Sequence, residues 1–394
     1  MEAQRHRSGG APLVQVEGRK WLRVDNYVGV LETPCGTRLE ILPKHTATAS
    51  DAATSRRLLI RMLRHALNLP VRTTSPADLA TFDAPVSEWV IQQFLRELVL
   101  LIRRGIRSEY RAVEEEVGFL RGRLRVGEQI RQPVSRRHRF QVEHQVFDVN
   151  RAENRLIVAA LTKVANQTRE ASSWRLAHEL ERQLIDVPAS RDAPADLRRW
   201  STERLMSHYE PIRPWCELIL GDRSPLSVFG EWRGRSLLFP MEKLYERYVE
   251  ACLRRALPRE TTLRAQSASQ YLCTHNGRRL FQLRPDFLVE HGKSVSVLDA
   301  KWKLLDANDV DRNYGLSQPD FYQLFAYGHR YRKGDGVLVL IYPKCEAFSE
   351  PHEPFDLQDG VVLYACPFDL ERGCLLSHPA VATFGPGRGA SDQH

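Results

Sequence analysis

The chain has 394 residues, a formal net charge of +8, 42% hydrophobic and 27% charged residues. That length holds two or three domains with cores of their own, and the composition excludes a fibrous or low-complexity protein. No apolar run reaches the length of a membrane span, and the first ten residues lack the apolar core of a signal peptide. The seven cysteines are odd in number and form no Cys-x-x-Cys pair, which predicts free thiols and a cytoplasmic location with no membrane. The surplus of positive charge favours an anionic partner.

Residues 13–43 read as strands. Residues 13–16, 21–24 and 27–32 are rich in β-branched and apolar side chains, Thr33-Pro-Cys-Gly36 is a turn, and residues 38–42 complete a hairpin. Helical spacing then takes over. Leu58, Leu59, Met62, Leu63 and Leu67 mark a helix over 55–67, and Val90, Ile91, Phe94, Leu95 and Leu98 mark another over 87–104, with Gly105 just past its end. Between Leu101 and Phe140 stand eleven arginines, five glutamates and no lysine. Such a stretch serves either as a phosphate-binding surface or as a solvated, salt-bridged helical face, and the sequence leaves both open. Residues 140–146 alternate as a strand, Asp148 is placed to cap a helix over 150–166, and a further helix spans about 173–185. Residues 186–196 read as a loop and 197–220 as helix interrupted by Pro211 and Pro214. The turn-rich 221–234 is the candidate boundary. The predicted domains are therefore 1–230, β-rich and helical, and 231–394, an α/β (α+β) domain.

In the second domain a helix is predicted over 239–256 with Pro240 in its first turn. Strands follow at 271–273 and on both sides of Glu290-His-Gly-Lys293, then a helix over 317–332 with Ser317 as its cap. Two continuous apolar runs, 337–342 and 361–366, read as buried strands. Folding the hairpin about Gly292 brings Asp286 roughly opposite Asp299. Lys301 lies two residues beyond Asp299 and so shares its face. Two carboxylates, the intervening Ala300 carbonyl and an ammonium thus converge at one end of a hairpin. Oxygen ligands of this kind suit Mg2+ (or Mn2+), and a metal beside a lysine suits phosphodiester hydrolysis. On the helix that follows, Gln323 and Tyr327 are four apart and share a face with Asp320.

Pro285-Asp286 followed by Asp299-Ala300-Lys301 resembles the PD-(D/E)XK nuclease signature. Gln323 and Tyr327 resemble the Gln-x-x-x-Tyr helix of the recombination-type members of that superfamily. Glu246 matches the helix glutamate that often adds to the metal shell there, with Glu242 and Glu250 competing by spacing. Residues 28–44, Val-Gly-Val-Leu-Glu-Thr-Pro-Cys-Gly-Thr-Arg-Leu-Glu-Ile-Leu-Pro-Lys, resemble the N-terminal signature of McrC proteins. Leu120-Arg-Gly-Arg-Leu124, residues 148–156, residues 238–246 and residues 320–327 resemble later parts of the same family, in the same order. The resemblance implies a restriction-endonuclease-like domain behind the N-terminal region. It also implies a DNA endonuclease subunit of a modified-cytosine-dependent restriction system. Its partners would be double-stranded DNA and an McrB-like AAA+ GTPase ring, stimulated by the N-terminal part. The chain itself has no Gly-x-x-x-x-Gly-Lys-Ser/Thr loop, and its one Gly-Lys-Ser, at Gly292, sits in the hairpin turn. Two other readings stand beside this one: a non-catalytic activator of a motor NTPase, and a stand-alone recombination or repair nuclease.

Overall fold

The computed structural model describes residues 14–17, 21–24, 26–32, 36–45, 51–70, 84–221, 237–333, 336–357 and 360–377. The chain forms two compact units, Met1–Ser87 joined with Leu226–His394, and Glu88–Pro225. The turn expected at 33–36 and the boundary at 221–234 fall largely outside the described residues. The first 87 residues do not group with the middle of the chain, as a cut near 230 supposes. The physical reason is a strand, Leu237–Pro240, at the place where the apolar spacing suggests a helix start. It pairs antiparallel with Tyr27–Glu32, which pairs on its other edge with Arg38–Ile41. Pro240 accordingly precedes the helix Met241–Ala256 as its N-cap residue and does not lie in its first turn.

Gly29 makes that pairing possible. Its φ is +125°, and a Cβ there would stand 2.1 Å from the Leu237 carbonyl oxygen. Only glycine accepts both the dihedral and the approach. Gly29→Ala is expected to destabilise this unit by about 2–4 kcal/mol. The check is a thermal unfolding midpoint: an unchanged value would show that the two strands do not pair this closely. Next in the chain, the helix Ala52–Ala66 buries Leu58, Leu59, Met62 and Leu63 and lies against Met241–Ala256.

The centre of this unit is a seven-stranded mixed sheet. Six strands run in the order Phe355–Asp356, Val362–Asp369, Leu338–Pro343, Ser294–Ala300, Phe287–His291 and Thr261–Ala265, and Cys374–Leu375 pairs with Val362–Asp369. The three at its heart are parallel, and Leu338–Pro343 is buried along its whole length. Leu338 and Leu340 pack in one cluster with Leu324 of the helix Gln318–Tyr331. The alternate residues Val339 and Ile341 are buried as well, and on that second face Phe368 meets Tyr245 and Tyr248 of Met241–Ala256. Alternation along the strands thus places a helix on each side of the sheet. Ser317 precedes Gln318–Tyr331 without a side-chain capping bond, contrary to expectation.

Glu88–Pro225 is mainly helical around Trp89, Phe94, Leu156, Leu161 and Trp215. It carries a small antiparallel sheet in the order Glu109–Val117, Phe140–Asp148, Arg123–Leu124. Part of the arginine-rich stretch is therefore strand, not helix. Several of its arginines are salt-bridged: Arg111 lies 3.4 Å from Asp148, Arg125 2.7 Å from Glu114, and Arg121 pairs with Glu115. Asp148 ends the long strand and accepts from the Asn150 amide at 2.9 Å, while Arg151 holds the cap position of the helix Ala152–Gln167. The expected loop at 186–196 gives way to the short helix Ala193–Arg198, capped by Asp192, which accepts from the Ala195 amide at 2.9 Å.

Candidate active site

The hairpin pairs Phe287 with Leu298 and His291 with Ser294, and turns at Gly292, whose φ is +58°. One further step of this register sets Asp286 opposite Asp299. The two strands end differently there. Asp286 leaves the ladder and its Oδ2 accepts from the Ala300 amide at 2.9 Å. Asp299 stays in the sheet between Phe287–His291 and Leu338–Pro343 and is only 1% exposed.

Lys301 follows, and its ammonium is held on three sides. Nζ lies 2.8 Å from Asp299 Oδ2, donates to Gln323 Oε1 at 3.1 Å and stands 3.6 Å from Asp320 Oδ1. Gln323 donates to the Tyr327 hydroxyl at 2.8 Å, and that hydroxyl donates to the Arg284 carbonyl at 3.0 Å. A run of hydrogen bonds therefore ties Lys301 through the helix Gln318–Tyr331 to the residue two before Asp286. The i, i+4 spacing of Gln323 and Tyr327 produces this line directly.

Of the three competing glutamates, Glu242 bonds to Asn26 Nδ2 at 3.0 Å and Glu250 to its own-helix neighbour Arg254 at 2.8 Å. Glu246 alone is brought to the site. Gln266 Nε2 donates to Glu246 Oε1 and approaches Asp286 Oδ1 at 3.4 Å, while the Gln266 amide donates to the Asp286 carbonyl at 2.9 Å. Gln266 belongs to no motif. It follows the strand Thr261–Ala265 with φ +50°, and that left-handed turn aims it across to Asp286.

The charges are mutually costly without a cation. Burial, then Asp299 and Glu246, push the Asp286 carboxyl up to about 8. Burial likewise raises Asp299, against the pull of Lys301, and raises Glu246. Burial works against the Lys301 ammonium too, but Asp299 and Asp320 outweigh it and hold its pKa above the ordinary lysine range. Among the described residues the Lys301 ammonium, at 2.8 Å, is the one partner of the buried Asp299 Oδ2. A buried carboxylate partnered by an ammonium, beside a second carboxylate destabilised by burial and by its acidic neighbours, fits a hard divalent cation. Among the described residues no three His, Cys, Asp or Glu side chains converge as a ready cage. The donor set is the aspartate pair, with Glu246 at its edge.

The family described as McrBC 5-methylcytosine restriction system component matches the chain over residues 22–343. Among solved structures, a chain of the refined half-complex from the tetradecameric assembly of Thermococcus gammatolerans McrB AAA+ hexamers with bound McrC aligns with 94% of this chain and 84% of its own. The TM-score is 0.68 and the identity 23%. A chain of the cryo-EM structure of the Thermococcus gammatolerans McrBC complex aligns with 64% of this chain and 76% of its own, at a TM-score of 0.49 and 23% identity. The first of these likenesses is one of fold, a mixed α/β architecture shared over nearly the whole length. No curated protein matches the chain. No helix among the described residues is long and apolar enough to cross a membrane. With 22–343 matched, the chain belongs to the McrBC family of 5-methylcytosine restriction system components.

Proposed function

We propose that the chain is a metal-dependent DNA endonuclease, the nuclease subunit of a modification-dependent restriction system, acting in the cytoplasm with a GTP-hydrolysing AAA+ ring. One observation carries the catalytic part of this reading. Asp286 and Asp299 meet at the hairpin end with the Lys301 ammonium 2.8 Å from Asp299. The ring partner and the modified double-stranded DNA rest on the family membership and on the order of the motifs.

Asp286 and Asp299 would hold Mg2+ or Mn2+, with the Ala300 carbonyl and Glu246 as further oxygens. The ion supplies the Lewis acid that polarises the scissile phosphodiester. The remaining work belongs to the chain. Lys301 presents a fixed positive charge where the phosphorane gathers negative charge. Gln323 accepts from that ammonium and so sets its direction, and Tyr327 orients Gln323. The helix glutamate is held in reach by Gln266. Stimulation of the ring's GTPase falls, on this reading, to the part of the chain before residue 230, whose early strands are built onto the nuclease unit.

The test is Asp299→Ala, assayed on methylated plasmid with Mg2+ and the cognate ring. Cleavage is expected to vanish while ring binding and GTP turnover persist. Full cleavage by this variant would remove the site assignment. Loss of GTP stimulation alongside cleavage would point to a folding defect, which the unfolding midpoint of the same preparation decides.

A further inference from the structure

Between Gln266 and Asp286 the chain leaves the sheet and forms a separate two-stranded ribbon. Gln270–His275 pairs with Arg278–Leu283 in antiparallel register, and the turn at Asn276-Gly277 has both φ values positive, +47° and +75°. This is the two-residue hairpin geometry that matches strand twist. Among the described residues no third strand covers it. An isolated ribbon of this size is marginal in water, so its root must be fixed from elsewhere. It is. The Tyr331 hydroxyl accepts from the Gln270 amide at 3.1 Å and lies 2.9 Å from the Leu283 carbonyl and 3.2 Å from that of Ser267. Arg330 donates to the Leu272 carbonyl at 2.7 Å, and Tyr327 holds the Arg284 carbonyl. The helix that positions Lys301 therefore also clamps the ribbon, and both ribbon ends run straight into the site, at Gln266 and Asp286.

The ribbon exposes an unusual set of side chains. Phe281 is 69% exposed, Leu272 44% and Leu280 37%. Phe281 also has φ +57°, a left-handed backbone that a bulky aromatic adopts only at a cost. Strain spent to hold an aromatic in solvent needs a partner to explain it. The charge says which partner. Residues 266–285 contain Arg278, Arg279 and Arg284 and no aspartate or glutamate. Among the described residues none of these arginines forms an ion pair with a carboxylate.

We propose that the Gln270–Leu283 ribbon is a DNA-docking element. Its arginines take backbone phosphates, and Phe281 with Leu272 forms an apolar wedge against the sugar and base edges of the groove next to the scissile bond. A two-stranded ribbon fits a duplex groove, and apolar wedges flanked by arginine are a recurrent way of gripping DNA. The ribbon's attachment at Gln266 and Asp286 turns docking into placement, because a duplex held by it is held beside Asp286, Asp299 and Lys301. The proposal rests on the nuclease reading above and adds the surface through which that site receives its substrate.

Two full-length variants test it, Arg278→Ala combined with Arg279→Ala, and Phe281→Gly. Binding of a short labelled duplex is measured without divalent metal across a salt series. The double arginine variant is expected to bind more weakly and to flatten the log–log salt slope by about two, near one for each phosphate no longer neutralised. Phe281→Gly is expected to lower affinity about tenfold, the scale of a single aromatic stacking interaction. It should also unfold at the same or a higher temperature, because glycine relieves the backbone strain. A merely structural Phe281 would show the reverse. In cleavage assays with Mg2+ and the ring, both variants should raise KM with kcat little changed. Wild-type affinity and salt slope in the double variant would overturn the proposal. So would unchanged DNA binding with loss of ring association or of self-association, which would make the ribbon a protein interface. Lys301→Ala is run in parallel to separate the two readings. If it is inactive while the ribbon variants bind as wild type, only the ribbon assignment fails; if it still cuts, the active site is not at the hairpin; and a wild type that does not cut with Mg2+ and the ring removes the nuclease reading itself.

Discussion

Lys301→Ala is expected to lower DNA cleavage by two to three orders of magnitude, with DNA affinity and GTP turnover almost unchanged. The ammonium sits 2.8 Å from Asp299, 3.1 Å from Gln323 and 3.6 Å from Asp320. These partners keep it charged and fix its direction before substrate arrives. A preorganised charge of this kind acts on the transition state and is worth about 3 kcal/mol or more. Each 1.4 kcal/mol is roughly a factor of ten in rate. DNA affinity should hold because phosphate binding is spread over many arginines. Lys301→Arg should not rescue cleavage, since a planar guanidinium does not replace a compact ammonium between Asp299 and Gln323. Cleavage, duplex binding and GTP turnover are measured on one preparation. Loss of all three would make Lys301 structural, and retention of all three would take the active site away from the hairpin.

The parts of this site that were legible in the sequence are those that local geometry fixes. The turn at Gly292 sets the register of the hairpin, and strand alternation then puts Asp299 and Lys301 on one face. Helical spacing alone aligns Gln323 with Tyr327. What escaped reading depends on distant partners. Leu237–Pro240 is a strand only because Tyr27–Glu32 lies beside it, and an apolar run before a proline looks the same at a helix start. Glu109–Val117 shows no alternation because most of its side chains are exposed, so Phe140–Asp148 defines it. Gln266 reaches Glu246 and Asp286 by a left-handed turn that no residue type announces there. The choice of Glu246 over Glu242 and Glu250 was likewise a matter of what lay across from each one.

Asp286→Asn is expected to abolish cleavage and, in metal-free protein, to raise stability at neutral and alkaline pH. The two effects have one cause. An aspartate in an unfolded chain titrates near 3.9. In the folded protein burial, Asp299 and Glu246 push Asp286 up to about 8. Between those values the folded state holds a proton that the unfolded state releases. Metal-free stability therefore falls as pH rises through the window from about 4 to about 8, and the penalty is fully present above it. Asparagine keeps an oxygen for the Ala300 amide but never ionises, so the decline should flatten. Asp286 is only partly buried, and solvent screening limits the gain to the order of 2 kcal/mol. Mg2+ should do for the wild-type protein at high pH what the substitution does without metal, by neutralising the paired carboxylates. It should do little for the variant. The measurement is the unfolding midpoint near pH 5 and near pH 9, each with and without Mg2+, for both proteins. Equal stabilisation of wild type and variant by Mg2+ at high pH would move the ion away from Asp286. A metal-free wild type that loses nothing relative to the variant between the two pH values would mean that Asp286 is not held protonated by its neighbours.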